Sequence, residues 1–106
     1  MDLAEVDEEL LELAAVQVPW YMVCADFHAP YGSADALVRR LFELREAGLL
    51  SIHAARRGAP ISAEAMIADA LDHGCYEDFE SSREPRWEIV ATDAGYDRIR
   101  ARLGAQ

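Results

Sequence analysis

The chain of 106 residues is 52% hydrophobic, which predicts a single domain with a modest core and excludes disorder throughout. Its formal net charge is −10, and a field of that sign repels nucleic acids and membrane surfaces. No apolar run approaches the ~20 residues of a membrane span, and the acidic N-terminus is unlike a signal peptide, so we expect a cytoplasmic protein without membrane contacts. We expect the two cysteines, Cys24 and Cys75, to be reduced thiols.

The charge is unevenly distributed along the chain. Residues 1–32 carry seven acidic residues and no basic one, and residues 59–106 carry ten acidic residues against five arginines. Residues 33–58 carry five arginines against three acidic residues. The middle of the chain is therefore the only part that is not acidic.

The first third of the chain predicts two amphipathic helices. The first has apolar residues at helical spacing, acidic residues in its early turns, and an end near Val18. The second begins at Pro19, whose missing amide hydrogen is not needed at the first helical position. A strand over residues 20–24 is the alternative for this segment, and residues 28–33 (HAPYGS) are expected to form a turn.

A third helix is predicted over residues 34–47, with Ser33 as its N-cap and Gly48 as its C-terminal stop. Its inner stripe consists of Leu37, Leu41 and Leu44. Residues 49–54 (LLSIHA) alternate between apolar and polar side chains, which predicts a half-buried strand.

The last part of the chain predicts a fourth helix over about residues 63–73, capped by Ser62, and then a polar, acidic segment at residues 75–86. A second strand follows from the alternation of Trp87, Ile89 and Ala91. Thr92 is suited to cap a closing helix. The inner face of that helix would be formed by Tyr96, Ile99 and Leu103.

Two motifs resemble the winged helix-turn-helix domains of MarR- and PadR-like transcription regulators. Residues 33–52 resemble their recognition helix and first wing strand, with a Leu-x-x-Leu-x-x-x-Gly-Leu pattern at residues 41–49. Residues 89–99 (IVATDAGYDRI) are similar to the Leu-Thr-x-x-Gly entry to the closing helix, although Ala91 replaces the usual leucine. The resemblance covers roughly residues 19–58 and 86–103.

This resemblance implies one mostly helical α+β domain with a two-stranded wing. The helix-turn-helix would occupy residues 19–47, after an N-terminal helix in residues 1–18. The wing would occupy residues 49–92 and the closing helix residues 93–103. Residues 59–85 depart from those families, because they insert a helix and an acidic loop where the families have a short wing tip.

Gly95 falls in the first turn of the closing helix, where glycine costs about 1 kcal/mol relative to alanine. A helix that directly follows a wing strand must press its first turn against the domain, and a side chain would hold the two backbones apart. Gly95 is therefore expected to be architectural, and Gly95→Val should destabilise the fold.

The resemblance also implies that the third helix enters the major groove of DNA. Its outer face carries two arginines against three acidic residues, and Arg39 has acidic residues four positions away on both sides. Phosphate contacts dominate affinity for DNA, and Arg56 with Arg57 lies where the wing would touch the DNA backbone. The residues expected to contact nucleic acid are Ser33, Arg39, Arg40, Arg45, Arg56 and Arg57.

The predicted function is that of a non-enzymatic, DNA-binding transcription regulator. The alternative is an acidic winged-helix module that contacts proteins and does not bind DNA, with the partner at the first helix or at the acidic insertion. Homodimerisation through the first helix is compatible with both of these functions.

We expect no catalytic site, cofactor or metal. The cysteines and histidines at positions 24, 28, 73 and 75 lack the spacing of structural zinc sites, and no cleft is indicated around His73 and Cys75. Trp20, Trp87 and Tyr96 are interpreted as core side chains rather than as an effector pocket beneath the wing.

Overall fold

The computed structural model describes residues 2–55, 57–73 and 86–104. Over these residues the fold is α+β and mostly helical, as the sequence predicts, with five helices and one three-stranded antiparallel sheet. The elements in chain order are α1 (Glu5–Ala14), β1 (Val18–Pro19), α2 (Trp20–Tyr31), α3 (Ala34–Glu46), β2 (Leu50–Ala54), α4 (Ala63–His73), β3 (Trp87–Ala91) and α5 (Asp93–Gly104). None of these helices has both the length and the apolar character that crossing a lipid bilayer requires.

The three strands lie in the order β1-β3-β2. The two predicted strands, β2 and β3, pair with Ile52 opposite Ile89, and both side chains point into the core. The third strand, β1, was not predicted, and it places Val18 opposite Ile89 on the other edge of β3. Pro19 is tolerated there because an edge strand leaves one row of amide positions without a ladder partner.

The boundaries of the first two helices differ from the prediction. The first helix ends at Ala14 instead of near Val18, and Gln17, at φ 57°, turns the chain into β1. Pro19 is the extended N-cap of α2 rather than its first residue, and the strand considered for residues 20–24 does not form. The turn predicted at residues 28–33 is shorter in the structure, because α2 continues through Pro30 to Tyr31 and the chain turns only at Gly32, with φ 101°, and Ser33.

The predictions for the third and fourth helices are confirmed. The Ser33 hydroxyl accepts a hydrogen bond from the Ala36 amide at 3.1 Å, and Gly48, at φ 79°, ends the turn after α3. The Ser62 hydroxyl accepts from the Ala65 amide at 3.1 Å in the same way at the start of α4. Both serines therefore satisfy amide groups that a helix N-terminus leaves without intrahelical partners.

The core is formed by one face of each helix and the inner face of the sheet. The fully buried side chains that dominate its volume include Leu10, Leu11, Trp20, Leu37, Leu41, Leu44, Trp87, Ile89 and Ile99. The prediction that Tyr96 faces inward is wrong, because its side chain is 46% exposed. Helix α5 packs through Gly95 and Ile99, which are four residues apart, and Tyr96 lies to one side of that stripe.

The close approach expected at Gly95 is confirmed. A Cβ atom at this position would overlap the carbonyl oxygen of Leu49 and lie 2.9 Å from its carbonyl carbon. The same oxygen accepts a hydrogen bond from the Thr92 amide at 3.1 Å. The Thr92 hydroxyl accepts from the Gly95 amide at 3.1 Å and donates to the Gly48 carbonyl at 2.5 Å. The start of α5 is thus held against the loop between α3 and β2.

Candidate nucleic-acid interface

The outward face of α3 is the surface on which the sequence analysis places the DNA contacts. Its leucines are fully buried, so the helical period leaves the charged residues outward. The residues of the face, all exposed, are Asp35, Arg39, Glu43 and Glu46. We call this set the α3 outer face; it carries three carboxylates and one guanidinium.

Arg39 is paired within its own helix. Its Nε atom donates to Oδ2 of Asp35 at 2.7 Å, and both side chains are at least half exposed. An exposed pair of this spacing contributes only about 0.3–0.5 kcal/mol, so a stronger anion could compete for Arg39. The carboxylate of Asp35 would nevertheless stay beside any phosphate that did so.

Arg40 lies between α3 and α1. Its Nε atom donates to Asp7 Oδ1 at 3.0 Å and its Nη2 atom to Asp7 Oδ2 at 2.7 Å, a bidentate pair. The remaining contacts are from Nη1 to Glu43 at 2.9 Å and from Nη2 to the Asp2 carbonyl at 3.2 Å. The side chain is only 22% exposed, and the hydrogen bonds with Asp7 raise its pKa. Its guanidinium therefore joins two helices.

Asp7 is a buried carboxylate that the sequence analysis did not identify. It is 2% exposed and accepts hydrogen bonds from Arg40, from the Tyr31 hydroxyl at 2.6 Å and from the Ala4 amide at 2.9 Å. Burial alone would raise the pKa of Asp7, but the donors from Arg40, Tyr31 and Ala4 together hold it below its ordinary value. Burial and the bond to Asp7 raise the pKa of Tyr31. The one sequence signal was the position of Asp7 on the apolar stripe of α1.

Arg45 and Ser33, two further residues predicted to contact DNA, each make a contact within their own segment of the chain. The guanidinium of Arg45 lies 5.5 Å from the centroid of the Phe42 ring, a cation–π geometry that leaves the charge exposed. The Ser33 hydroxyl caps α3, as described above. Arg45 makes no ion pair with any residue in the described part of the chain.

The predicted contacts on the wing lie on the β2–α4 connection. Arg57 is exposed there and forms no ion pair with the residues that the structure describes. Arg56 lies outside the described residues, as does the acidic part of the predicted insertion at positions 74–85. The structure thus places Arg39, Arg40 and Arg45 together on α3, with Arg57 on a separate segment.

The expectation of a reduced thiol is wrong for Cys24, which is disulfide-bonded. The same expectation for Cys75 falls outside the described residues. The Nδ1 atom of His28 lies 2.7 Å from the Cys24 carbonyl oxygen. Within the described ranges, histidine, cysteine, aspartate and glutamate side chains form no group of three or more that could hold a metal ion.

In chemical terms, the α3 outer face presents three carboxylates and one guanidinium along one side of a helix. It offers acceptor oxygens and one displaceable guanidinium, so it matches a surface of mixed or positive charge better than a row of phosphates. Comparison of the chain with protein-family models, with curated proteins and with solved structures found no match.

Proposed function

We propose that this chain is a winged-helix domain that binds a protein partner through the α3 outer face. Two observations support the winged-helix arrangement: the order of helices and strands, and the antiparallel pairing of the two strands that follow α3. The close packing of Gly95 on Leu49 is what the resemblance of the closing-helix motif leads one to expect. The proposed function is a binding function, without catalysis.

The observation that carries the proposal is the neutralisation of two of the three α3 arginines by carboxylates. Arg39 is paired with Asp35, and Arg40 is paired with Asp7 and Glu43, at distances of 2.7–3.0 Å. A DNA interface gains its affinity by placing cations against phosphates and releasing counterions. Cations that already face carboxylates contribute less, and the net charge of −10 opposes the approach of DNA.

The proposed partner has a positively charged surface. The carboxylates of Asp35, Glu43 and Glu46 are exposed and lie along one side of a helix, where they can pair with arginines and lysines of a partner. The overall negative charge would accelerate the encounter with such a surface.

A photo-crosslinking side chain at position 46 tests the proposal in an extract of the source cells. We expect a discrete adduct that survives nuclease and is removed by protease, and that contains a basic protein. The same crosslinker at Ala15, an exposed position at the end of α1, is the control. A nuclease-sensitive adduct, or a pattern equal to that from position 15, would contradict the proposal.

DNA binding is the second candidate, and a specific observation favours it. Arg45 and Arg57 are exposed and have no carboxylate partner among the described residues. These two side chains could contact phosphates without breaking an ion pair.

The variant Asp35→Asn/Glu43→Gln/Glu46→Gln should therefore gain affinity for duplex DNA relative to the wild type, because it removes three negative charges from the α3 outer face. Fluorescence anisotropy with a labelled duplex of mixed sequence, measured over a series of salt concentrations, gives both affinities. We expect no saturable binding by the wild type at physiological salt. Saturable wild-type binding that weakens in Arg45→Gln/Arg57→Gln would favour the DNA function instead.

A further inference from the structure

A pocket of about 380 Å³ lies between the β2–α4 connection, α4 and the start of β3. Its volume is within the range of roughly 300–1,000 Å³ that is typical of small-molecule sites. The apolar side chains that line it are Ala59, Pro60, Ala65, Ala68 and Trp87. The indole nitrogen of Trp87 donates to the Pro60 carbonyl at 2.9 Å, and this bond fixes two walls relative to each other.

Three charged side chains line the same pocket. The Asp69 side chain is 5% exposed, and its Oδ1 atom lies 3.6 Å from Nη1 of Arg86. Arg86 is itself partly exposed, and Arg57 is exposed without an ion pair to any described residue. Two guanidinium groups against one carboxylate leave one positive charge among the lining residues that the structure describes.

We propose that this pocket binds a small organic monocarboxylate with a compact apolar body. Guanidinium groups bind carboxylates by paired, charge-assisted hydrogen bonds, and Arg57 is the lining residue whose charge is not balanced by a described carboxylate. The apolar body of the ligand would pack against Trp87 and the alanines. A neutral molecule would leave Arg57 without a counter-charge, and a dianion would exceed the one positive charge of the described lining residues.

This site is independent of the proposed function, because none of the residues that line it belongs to the α3 outer face. It also changes the interpretation of Trp87, which the sequence predicts as core. Trp87 is 1% exposed, so it is a core residue, and it also lines the pocket.

Nuclear magnetic resonance of the two tryptophan indole N–H groups tests the proposal on the full chain, with cyclohexanecarboxylate as the probe. We expect a saturable shift of the Trp87 resonance, since its N–H is bonded to Pro60 and both residues line the pocket. The Trp20 resonance, from a buried residue that does not line the pocket, serves as the internal control and should not move. Cyclohexanecarboxamide has the same shape without the charge and should give no saturable shift.

Two matched variants identify the anion contact. Arg57→Gln should weaken binding of the probe roughly tenfold or more, because it removes a charged hydrogen-bond partner from an exposed position that the fold does not need. Arg45→Gln, at another exposed arginine without a described carboxylate partner, should leave binding unchanged. The proposal is overturned by any of four results: no saturable Trp87 shift, equal binding of the carboxamide, tighter binding of inorganic phosphate than of the carboxylate, or undiminished binding by Arg57→Gln.

Discussion

Gly95→Ala should lower the free energy of unfolding by about 3 kcal/mol, although alanine is the better helix former by about 1 kcal/mol. The added Cβ would overlap the Leu49 carbonyl oxygen, a backbone atom that cannot swing aside as the end of a side chain can. Relief requires α5 to move away from the loop after α3, which breaks the bonds of Thr92 to Gly48 and Leu49. Gly95→Val should cost more, because it adds further atoms to the same overlap.

Thermal or urea denaturation followed by circular dichroism measures this effect. A loss of 3 kcal/mol corresponds to a fall in the melting temperature of roughly 12–24 °C for a domain near 100 residues. The control is Ala94→Gly, an exposed position next to Gly95 in the same helix turn, where the loss should be only the propensity difference of about 1 kcal/mol. A Gly95→Ala protein that melts at or above the wild-type temperature would show that the two backbones do not meet there.

Asp7→Asn should destabilise the domain by about 3 kcal/mol, because it removes the charge that neutralises Arg40 at the junction of α1 and α3. The substitution leaves Arg40 with one fewer anionic partner at a buried position. It also places the Tyr31 hydroxyl against a neutral amide instead of a carboxylate. Asp35→Asn is the matched control, since it removes the partner of another α3 arginine, but at an exposed pair. That change should cost no more than about 0.5 kcal/mol. Equal losses in the two variants would mean that the Asp7 pair contributes no more than a surface ion pair.

The dependence of stability on pH gives a second measurement of the same carboxylate. The folded pKa of Asp7 is below its ordinary value of 3.8, so the unfolded chain takes up this proton at higher pH than the folded chain does. The contribution of Asp7 to stability is therefore complete above pH 3.8, and it is lost as the pH falls from 3.8 through the folded pKa. Between these two values, the wild type should lose stability more steeply than Asp7→Asn, which has no carboxyl group to titrate there.

Features that depend on near neighbours in the chain were predictable. The stripe of Leu37, Leu41 and Leu44 marks the buried face of α3, because three- and four-residue spacing alone puts side chains on one side of a helix. The caps at Ser33 and Ser62 follow from a hydroxyl placed before a helix, which meets an amide three residues later. Gly95 was informative for a similar reason, since glycine in a helix turn is unfavourable unless a backbone lies against it.

Features that join distant parts of the chain were decided by the tertiary structure. Strand β1 has two residues, too few for an alternating pattern, and it exists because β3 offers its second edge to Val18. Arg40 is drawn from the predicted DNA-contact surface to Asp7, 33 positions away, by the way α1 packs on α3. Tyr96 is exposed because the packing of α5 is set by Gly95 and Ile99.

The sequence by itself determined that the five helices and the two longer strands exist, and the role of Gly95, since periodicity, capping and local sterics act over a few residues. The tertiary structure decided which charged side chains remain available to bind a partner or a ligand. Arg40 has Glu43 three positions away in sequence, and only the packing of α1 on α3 adds Asp7 to its partners. The same packing closes Arg40 into the domain, whereas Arg57, on the β2–α4 connection, lines a pocket.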